Sequence, residues 1–299
     1  MENIKITFFM LVTTRDIIIA DYAIISYTKI KNIPFKLQVY SNWIPCFLKQ
    51  KYFPAWRQLD YVELIENEWQ TDDKCPSGSG LEGRYEKCAT VWERELKKIE
   101  TPYFATVDAD FEILDAKFIS VMLDKVDAYS NLAVMSTDYQ PTIPDYYESY
   151  ENEVICLQER WNTWFCIYRQ EALQCPVSHH YYKEIVPGSE QPKAWDEAGY
   201  FQKGLKDIFG FDLAALDAKY QPCFIHYGAF SKNVDINESN VQLYRQIQIL
   251  RKRGFFGTSS WRTGLLGILD IFPKKAARLL NKIVFRKADR SKYVGDAPA

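Results

Sequence analysis

Histidine is scarce in this chain of 299 residues, with three copies, and the seven cysteines (Cys46, Cys75, Cys88, Cys156, Cys166, Cys175 and Cys223) contain no C-x-x-C pair. An odd cysteine set with several members inside apolar runs argues against a disulfide framework and against a cysteine zinc site, and fits a reduced cytosolic protein. The opening MENIKITFFMLVTTR has too short an apolar stretch, and carries charge too early, for a signal peptide or a membrane span. No later segment supplies an uncharged run of the needed length. Internal repeats and low-complexity tracts are absent, as is any recognised nucleic-acid-binding motif.

Against those absences stand 47% hydrophobic and 25% charged residues, ordinary for a folded domain, and an aromatic set of 20 Tyr, 18 Phe and 8 Trp that suits packing and flat sugar faces alike. The net charge of −2 hides an asymmetry: Arg251 to Ala299 carries +9 and the preceding chain −11. Elements alternate. Ile4–Thr13 reads as a strand, Ile17–Lys31 as a helix, Phe35–Tyr40 as a second strand and Tyr61–Ile65 as a third. The Gly- and Pro-rich stretch from Asp72 to Gly83 reads as a loop before an amphipathic helix near Tyr85–Ile99. Lys117–Ala128 then reads as a helix and Leu132–Ser136 as a strand, an order that favours a parallel α/β sheet wrapped by helices.

The most informative segment is TPYFATVDADFEIL, Thr101 to Leu114. Tyr103–Val107 reads as a buried strand that ends in Asp108-Ala109-Asp110. Ligands of open α/β sheets bind at the carboxyl ends of the strands, where an Asp-x-Asp pair offers hard oxygen ligands to Mg2+ or Mn2+. Asp-x-Asp is also common in turns, where both side chains bond local backbone N–H groups. Further on, Trp164–Tyr168 reads as a strand and Val186–Pro192 as a mobile loop, with Asp196 and Glu197 then opening a helix. That acidic pair either serves chemistry or simply favours the helix dipole. Cys223–Gly228 places His226 at the end of a short apolar strand, whereas His179 and His180 fall in a loop. A lone histidine after a strand is more often hydrogen-bonded structure than a ligand, but with an Asp-x-Asp elsewhere in the chain the imidazole could complete a mixed oxygen and nitrogen shell that suits Mn2+.

Taken in this order, the Asp-x-Asp strand, glycine-bearing loop, acidic pair and late histidine resemble the GT-A fold of nucleotide-sugar-dependent glycosyltransferases. Phe165-Cys166-Ile167-Tyr168-Arg169-Gln170-Glu171-Ala172-Leu173 is similar to the strand-and-Arg segment of family-2-type members, and Gly83-Arg84-Tyr85-Glu86-Lys87 to a basic element near the donor diphosphate. The resemblance spans roughly residues 1 to 230. It implies a Rossmann-like mixed sheet flanked by helices, with Asp110 on the metal, Asp108 on metal or donor ribose, and His226 as the third protein ligand. Thr13 and Arg15 would lie near the nucleotide base, Arg84 and Lys87 near the diphosphate, and Gly188 in the loop closing over the donor. Asp196 or Glu197 would be nearest the acceptor hydroxyl.

Two departures are visible. The second strand ends in Val39-Tyr40-Ser41-Asn42 without the aspartate many family-2-type enzymes set against the base, and the usual Glu-Asp order is reversed as Asp196-Glu197.

The tail is basic and amphipathic: Leu265, Leu266, Ile268, Leu269, Ile271 and Phe272 precede Lys274, Lys275, Arg278, Lys282, Arg286 and Lys287, which interleave with further apolar residues. Such a helix can lie in an anionic membrane interface, or can dock on its own domain with solvated lysines. The expected organisation is a catalytic domain over 1–250 and a basic helical tail over 251–299. The expected activity is Mn2+- or Mg2+-dependent transfer of a sugar from a nucleotide-sugar donor to a glycan or lipid-linked acceptor in surface polysaccharide or glycoconjugate synthesis, at the cytoplasmic face of a membrane and without nucleic acid. A sugar nucleotidyltransferase is the nearest rival, although Val12-Thr13-Thr14-Arg15 lacks the glycine-rich signature it would need. An inactive glycan-binding or membrane-scaffold protein of the same fold is the rival of another class.

Overall fold

The computed structural model describes residues 4–42, 44–66, 87–140, 147–150, 153–157, 160–180, 182–184, 193–195, 198–228 and 238–252. The chain forms two compact units, Met1–Tyr227 and Gly228–Ala299.

The first unit begins with strand β1 (Ile6–Thr13), helix α1 (Ile17–Ser26) and strand β2 (Phe35–Asn42). Helix α2 (Cys46–Trp56) and strand β3 (Val62–Glu66) follow, and α3 (Cys88–Glu95) leads into β4 (Tyr103–Asp108) and the short β5 (Phe111–Ile113). Next come α4 (Lys117–Ala128), β6 (Leu132–Ser136), β7 (Tyr139–Gln140), β8 (Tyr147–Tyr150), β9 (Glu153–Leu157) and β10 (Arg160–Trp161). The unit closes with β11 (Phe165–Arg169), β12 (Tyr182–Glu184), β13 (Lys193–Trp195), α5 (Gly199–Asp207), β14 (Asp212–Ala215) and β15 (Phe224–His226). In the second unit, α6 (Glu238–Lys252) is the described element.

Seven strands form the central sheet in the order β14-β6-β11-β4-β1-β2-β3. The α/β class is therefore observed, and so is the mixed sheet that the resemblance implied; one strand departs from the all-parallel order read from the alternation alone. β3, β2, β1 and β4 run parallel, as do β6 and β14, but β11 enters antiparallel to both β4 and β6. A strand inserted in the opposite sense leaves no trace in its own composition, because its two faces are buried just as those of its neighbours are.

Side-chain alternation along the strands divides the core between the two faces. Phe8, Met10, Ala105, Val107, Phe165 and Ile167 point to the side covered by α1, α2 and α4, while Phe9, Phe104, Cys166 and Tyr168 point to the side covered by α3 and α5. Both faces of the central strands are thus dry, which explains why these segments read as continuous apolar runs rather than alternating ones. Truncating a fully buried ring such as Phe165 to alanine would cost about 3–5 kcal/mol.

The acidic pair lies between two elements whose boundary differs from expectation. Trp195 ends β13, and α5 starts at Gly199 rather than at Asp196 and Glu197.

Candidate metal centre

β4 is buried along its length until Asp108, where the chain reaches the carboxyl edge of the sheet. The Asp108-Ala109-Asp110 turn leads into β5, and Ala109 is buried between the two acids. β5 pairs antiparallel with β15, in a register that sets Phe111 opposite His226. Tyr227 N–H extends this ladder by donating to the Asp110 carbonyl at 3.0 Å. The pairing brings a histidine more than a hundred residues away onto the Asp-x-Asp turn.

His226 Nε2 then lies 3.3 Å from Asp108 Oδ2 and 3.3 Å from Asp110 Oδ1. One ligand atom from each of the three residues falls within 4.8 Å of the others, as a single bound cation requires. Asp108 is the more open of the two acids at 45% side-chain exposure, against 15% for Asp110 and 19% for His226. Burial by itself pulls the imidazole pKa down, but the hydrogen bonds and negative charge of Asp108 and Asp110 outweigh it and raise the ring to about 9. The carboxylates therefore set a potential that demands a positive charge, supplied by the ring proton in the metal-free protein. The donor set fits either expected cation: carboxylate oxygens suit Mg2+ and Mn2+, and the imidazole nitrogen favours Mn2+.

Supporting contacts surround the cluster. Asp108 N–H donates to the Trp164 carbonyl at 2.9 Å, and the Trp164 ring stacks on His226 with centroids 4.3 Å apart. Tyr227 hydroxyl donates to Glu112 Oε2 at 2.6 Å, which pairs a buried carboxyl between the two halves of the β5–β15 ribbon. Trp164 and Glu112 were not expected to matter from sequence. The signal for Glu112 was an acid set between Phe111 and Ile113, a polar group that needs a partner once buried.

The other expected donor contacts are partly placed. Thr13 ends β1 beside β4, two residues beyond the Leu11–Asp108 register, so it shares the carboxyl edge with the cluster. Its hydroxyl donates to Asp16 Oδ2 at 2.6 Å and accepts from Arg15 N–H at 3.3 Å, which closes a small turn ahead of α1 with the Arg15 side chain exposed. Asn42, at the end of β2, stands in register with Thr13 and is buried. Lys87 immediately precedes α3 and is exposed, its carbonyl accepting from Val91 N–H at 3.2 Å. Arg84, Gly188, Asp196 and Glu197 lie outside the described residues.

Ala198, next to the acidic pair, has a φ of 65° and is the sole non-glycine residue at positive φ among the described residues. Its N–H donates to the His179 carbonyl at 2.8 Å. His179 is buried, stacks on Phe201 with centroids 4.0 Å apart, and donates its backbone N–H to Glu93 Oε1 at 3.0 Å. His179 and His180 lie in a loop, as expected, and these contacts give His179 a packing role.

Arg169 takes a structural role as well. It sits at the far end of β11, opposite Tyr103, where its guanidinium donates to the carbonyls of Leu132 (2.9 Å), Tyr129 (3.1 Å) and Val126 at the carboxyl end of α4.

No protein-family model matches the chain, and no curated protein matches it. Among solved structures, the chain is similar to TarS residues 1–349 from S. aureus at 15% identity, covering 91% of this chain and 82% of that one with a TM-score of 0.43. It is similar to the mannosyltransferase PcManGT from Pyrobaculum calidifontis, in complex with GDP-Man and Mn2+, at 10% identity over 95% of this chain and 81% of that one, TM-score 0.45. A third likeness is to glucosyl-3-phosphoglycerate synthase from Mycobacterium tuberculosis, in complex with Mn2+, UDP and glucosyl-3-phosphoglycerate, at 12% identity over 81% of this chain and 79% of that one, TM-score 0.42.

Proposed function

We propose that this chain is a metal-dependent glycosyltransferase that moves a sugar from a nucleotide-sugar donor to a glycan or lipid-linked acceptor in surface polysaccharide or glycoconjugate synthesis. The observation that carries the reading is the convergence of Asp108, Asp110 and His226 on one point at the carboxyl edge of the central strand. Mn2+ or Mg2+ bound there would neutralise the negative charge that develops on the departing nucleotide diphosphate. Asp110, the less exposed acid, holds the cation from the sheet side, and Asp108, half open, faces the donor. Thr13 and Arg15 approach the nucleotide, with Arg84 and Lys87 meeting the diphosphate and the Gly188 loop closing over it. Asp196 or Glu197 accepts the proton of the attacking acceptor hydroxyl, which inverts the anomeric carbon. If both acids only bind the acceptor, the configuration is retained.

The same reading places the enzyme at the cytoplasmic face of a membrane, held by the basic segment 251–299, with residues 1–250 as the catalytic part. Support comes from the segregation of +9 into that segment and from its interleaved apolar residues.

A screen of nucleotide sugars for thermal stabilisation, with and without Mn2+, tests the donor assignment, followed by donor hydrolysis with the best ligand. A Mn2+-dependent rise in melting temperature and measurable hydrolysis are expected. Stabilisation without any hydrolysis would favour an inactive glycan-binding protein, and turnover of a nucleoside triphosphate with a sugar phosphate would favour a nucleotidyltransferase. For the acidic pair, one of Asp196→Asn and Glu197→Gln should lose turnover while keeping donor affinity, because proton acceptance is needed only as the acceptor attacks. Full turnover in both variants with retained configuration would sink the inverting mechanism.

A further inference from the structure

We propose that Trp164 is a positioning residue for the cation site, its indole face fixing the ring plane of His226. The inference rests on reading Asp108, Asp110 and His226 as a metal centre. A ligating histidine is usually oriented by a hydrogen bond from its second ring nitrogen, and loss of that bond weakens metal affinity. Here Nε2 faces the two carboxylates, and among the described residues no hydrogen bond holds Nδ1. The χ2 torsion of an imidazole is broad, so rotamer preference alone leaves the ring plane loose.

Trp164 supplies what is missing. Its ring lies against His226 at a centroid distance of 4.3 Å and an interplanar angle of 27°. The indole is itself held, because Nε1–H donates to Thr137 Oγ1 at 3.0 Å. Thr137 is fully buried and anchored through its own N–H to the Phe165 carbonyl at 3.1 Å. Trp164 also accepts the Asp108 N–H at its backbone carbonyl, so it touches two of the three ligands by independent means. Replacing the side chain leaves the carbonyl in place and isolates the effect on His226.

The test measures Mn2+ affinity of the full chain by calorimetry in the parent and in Trp164→Leu, Trp164→Phe and Thr137→Val. Trp164→Leu should bind Mn2+ about tenfold more weakly or worse, the scale seen when an outer support of a metal ligand is removed. Trp164→Phe keeps a flat face but loses the Nε1–H anchor, and Thr137→Val removes the acceptor of that bond, so both should fall between. A spectroscopic readout separates positioning from general packing: Mn2+ on His226 should quench the emission of the stacked indole, and that component should vanish in Trp164→Phe while the other seven of the eight tryptophans remain. Trp164→Leu with parental melting temperature and parental Mn2+ affinity would overturn the inference, as would undiminished quenching in Trp164→Phe. Should Trp164→Leu fail to fold, parental affinity in both Trp164→Phe and Thr137→Val would overturn it equally. A parent that binds no Mn2+ overturns the metal reading itself, and is distinguishable because no variant can then differ from it.

Discussion

At Asp110 the demands of charge and of packing separate. The side chain lies at the end of the sheet rather than inside either face of the core, and its described partner is the His226 imidazole. Asp110→Ala should therefore abolish Mn2+-dependent binding of a nucleoside diphosphate while the protein still folds, with Asp108→Ala less complete because that acid is more exposed. His226→Ala should weaken Mn2+ binding by more than about a hundredfold, beyond the loss expected for an outer support alone. Unchanged nucleotide affinity in Mn2+ for all three would remove the metal centre. His179 behaves in the opposite way. Burial pulls its pKa down to about 4, aided by Lys97 and opposed by Glu93, so the folded protein holds it neutral. The unfolded chain takes up this proton below about 6.5 and the folded one does not, so the contribution to stability is complete above 6.5 and is lost as pH falls towards 4. The loss is on the order of 3 kcal/mol. His179→Phe keeps a ring for Phe201 and has nothing to titrate, so urea midpoints at pH 7 and pH 4.5 should draw closer in the variant than in the parent. Equal acid losses in the two proteins would show that His179 is not the group responsible. Of these residues, the Asp-x-Asp turn was legible from sequence because an apolar run ended in two acids. The meeting of His226 with it was only a possibility, since the register of β5 on β15 is a long-range fact that no local pattern carries. Trp164 gave no signal, because an aromatic residue beginning a strand reads as core.

Among the elements, legibility followed burial and length. α4 has the bounds its periodicity predicts, Lys117–Ala128, because one apolar stripe of Phe118, Ile119, Met122, Leu123 and Val126 faces the sheet. α2 was missed: CFLKQKYFPAW follows Pro45 and carries Pro54 in its last turn, two residues that read as breakers although the helix tolerates both near its ends. β5 and β12 are three-residue strands whose pairing comes from their partners, and β14 follows Gly210 at a φ of 66° that ends α5. Packing of α5 depends on a different glycine. A Cβ at Gly204 would stand 2.5 Å from Val177 Cγ2 and 2.8 Å from Val177 Cβ, closer than real contacts allow. Gly204→Ala should thus cost about 1–3 kcal/mol through overpacking, more than the helix propensity of alanine returns. Val177→Ala in the same chain should recover part of the loss in a double-mutant cycle read by chemical denaturation. Strict additivity of the two substitutions would mean that α5 shifts away from the loop instead of pressing on it.

At the scale of the whole molecule, charge is distributed by segment: −11 before Arg251 and +9 after it. Among the described residues no helix is long and apolar enough to cross a membrane. Basic residues near an anionic bilayer contribute about 1 kcal/mol each, and the effect decays within a Debye length of roughly 8–10 Å at physiological salt. Residues 1–250, proposed as the catalytic part, carry the net negative charge and would be repelled by the same bilayer, whereas the basic segment would be attracted to it. A chain ending at Arg253 keeps every described element, since α6 closes at Lys252. It should lose binding to vesicles containing anionic lipid in a sedimentation assay while retaining hydrolysis of a soluble donor. High salt should weaken vesicle binding of the full chain, leaving a residual affinity from Leu265, Leu266, Ile268 and the other apolar residues. A truncated chain that sediments with vesicles as well as the full one would place the anchor elsewhere or remove it. If truncation unfolds the catalytic part, Leu279, Leu280 and Ile283 belong to its core, and the lysines and arginines between them are the solvated face of a docked helix.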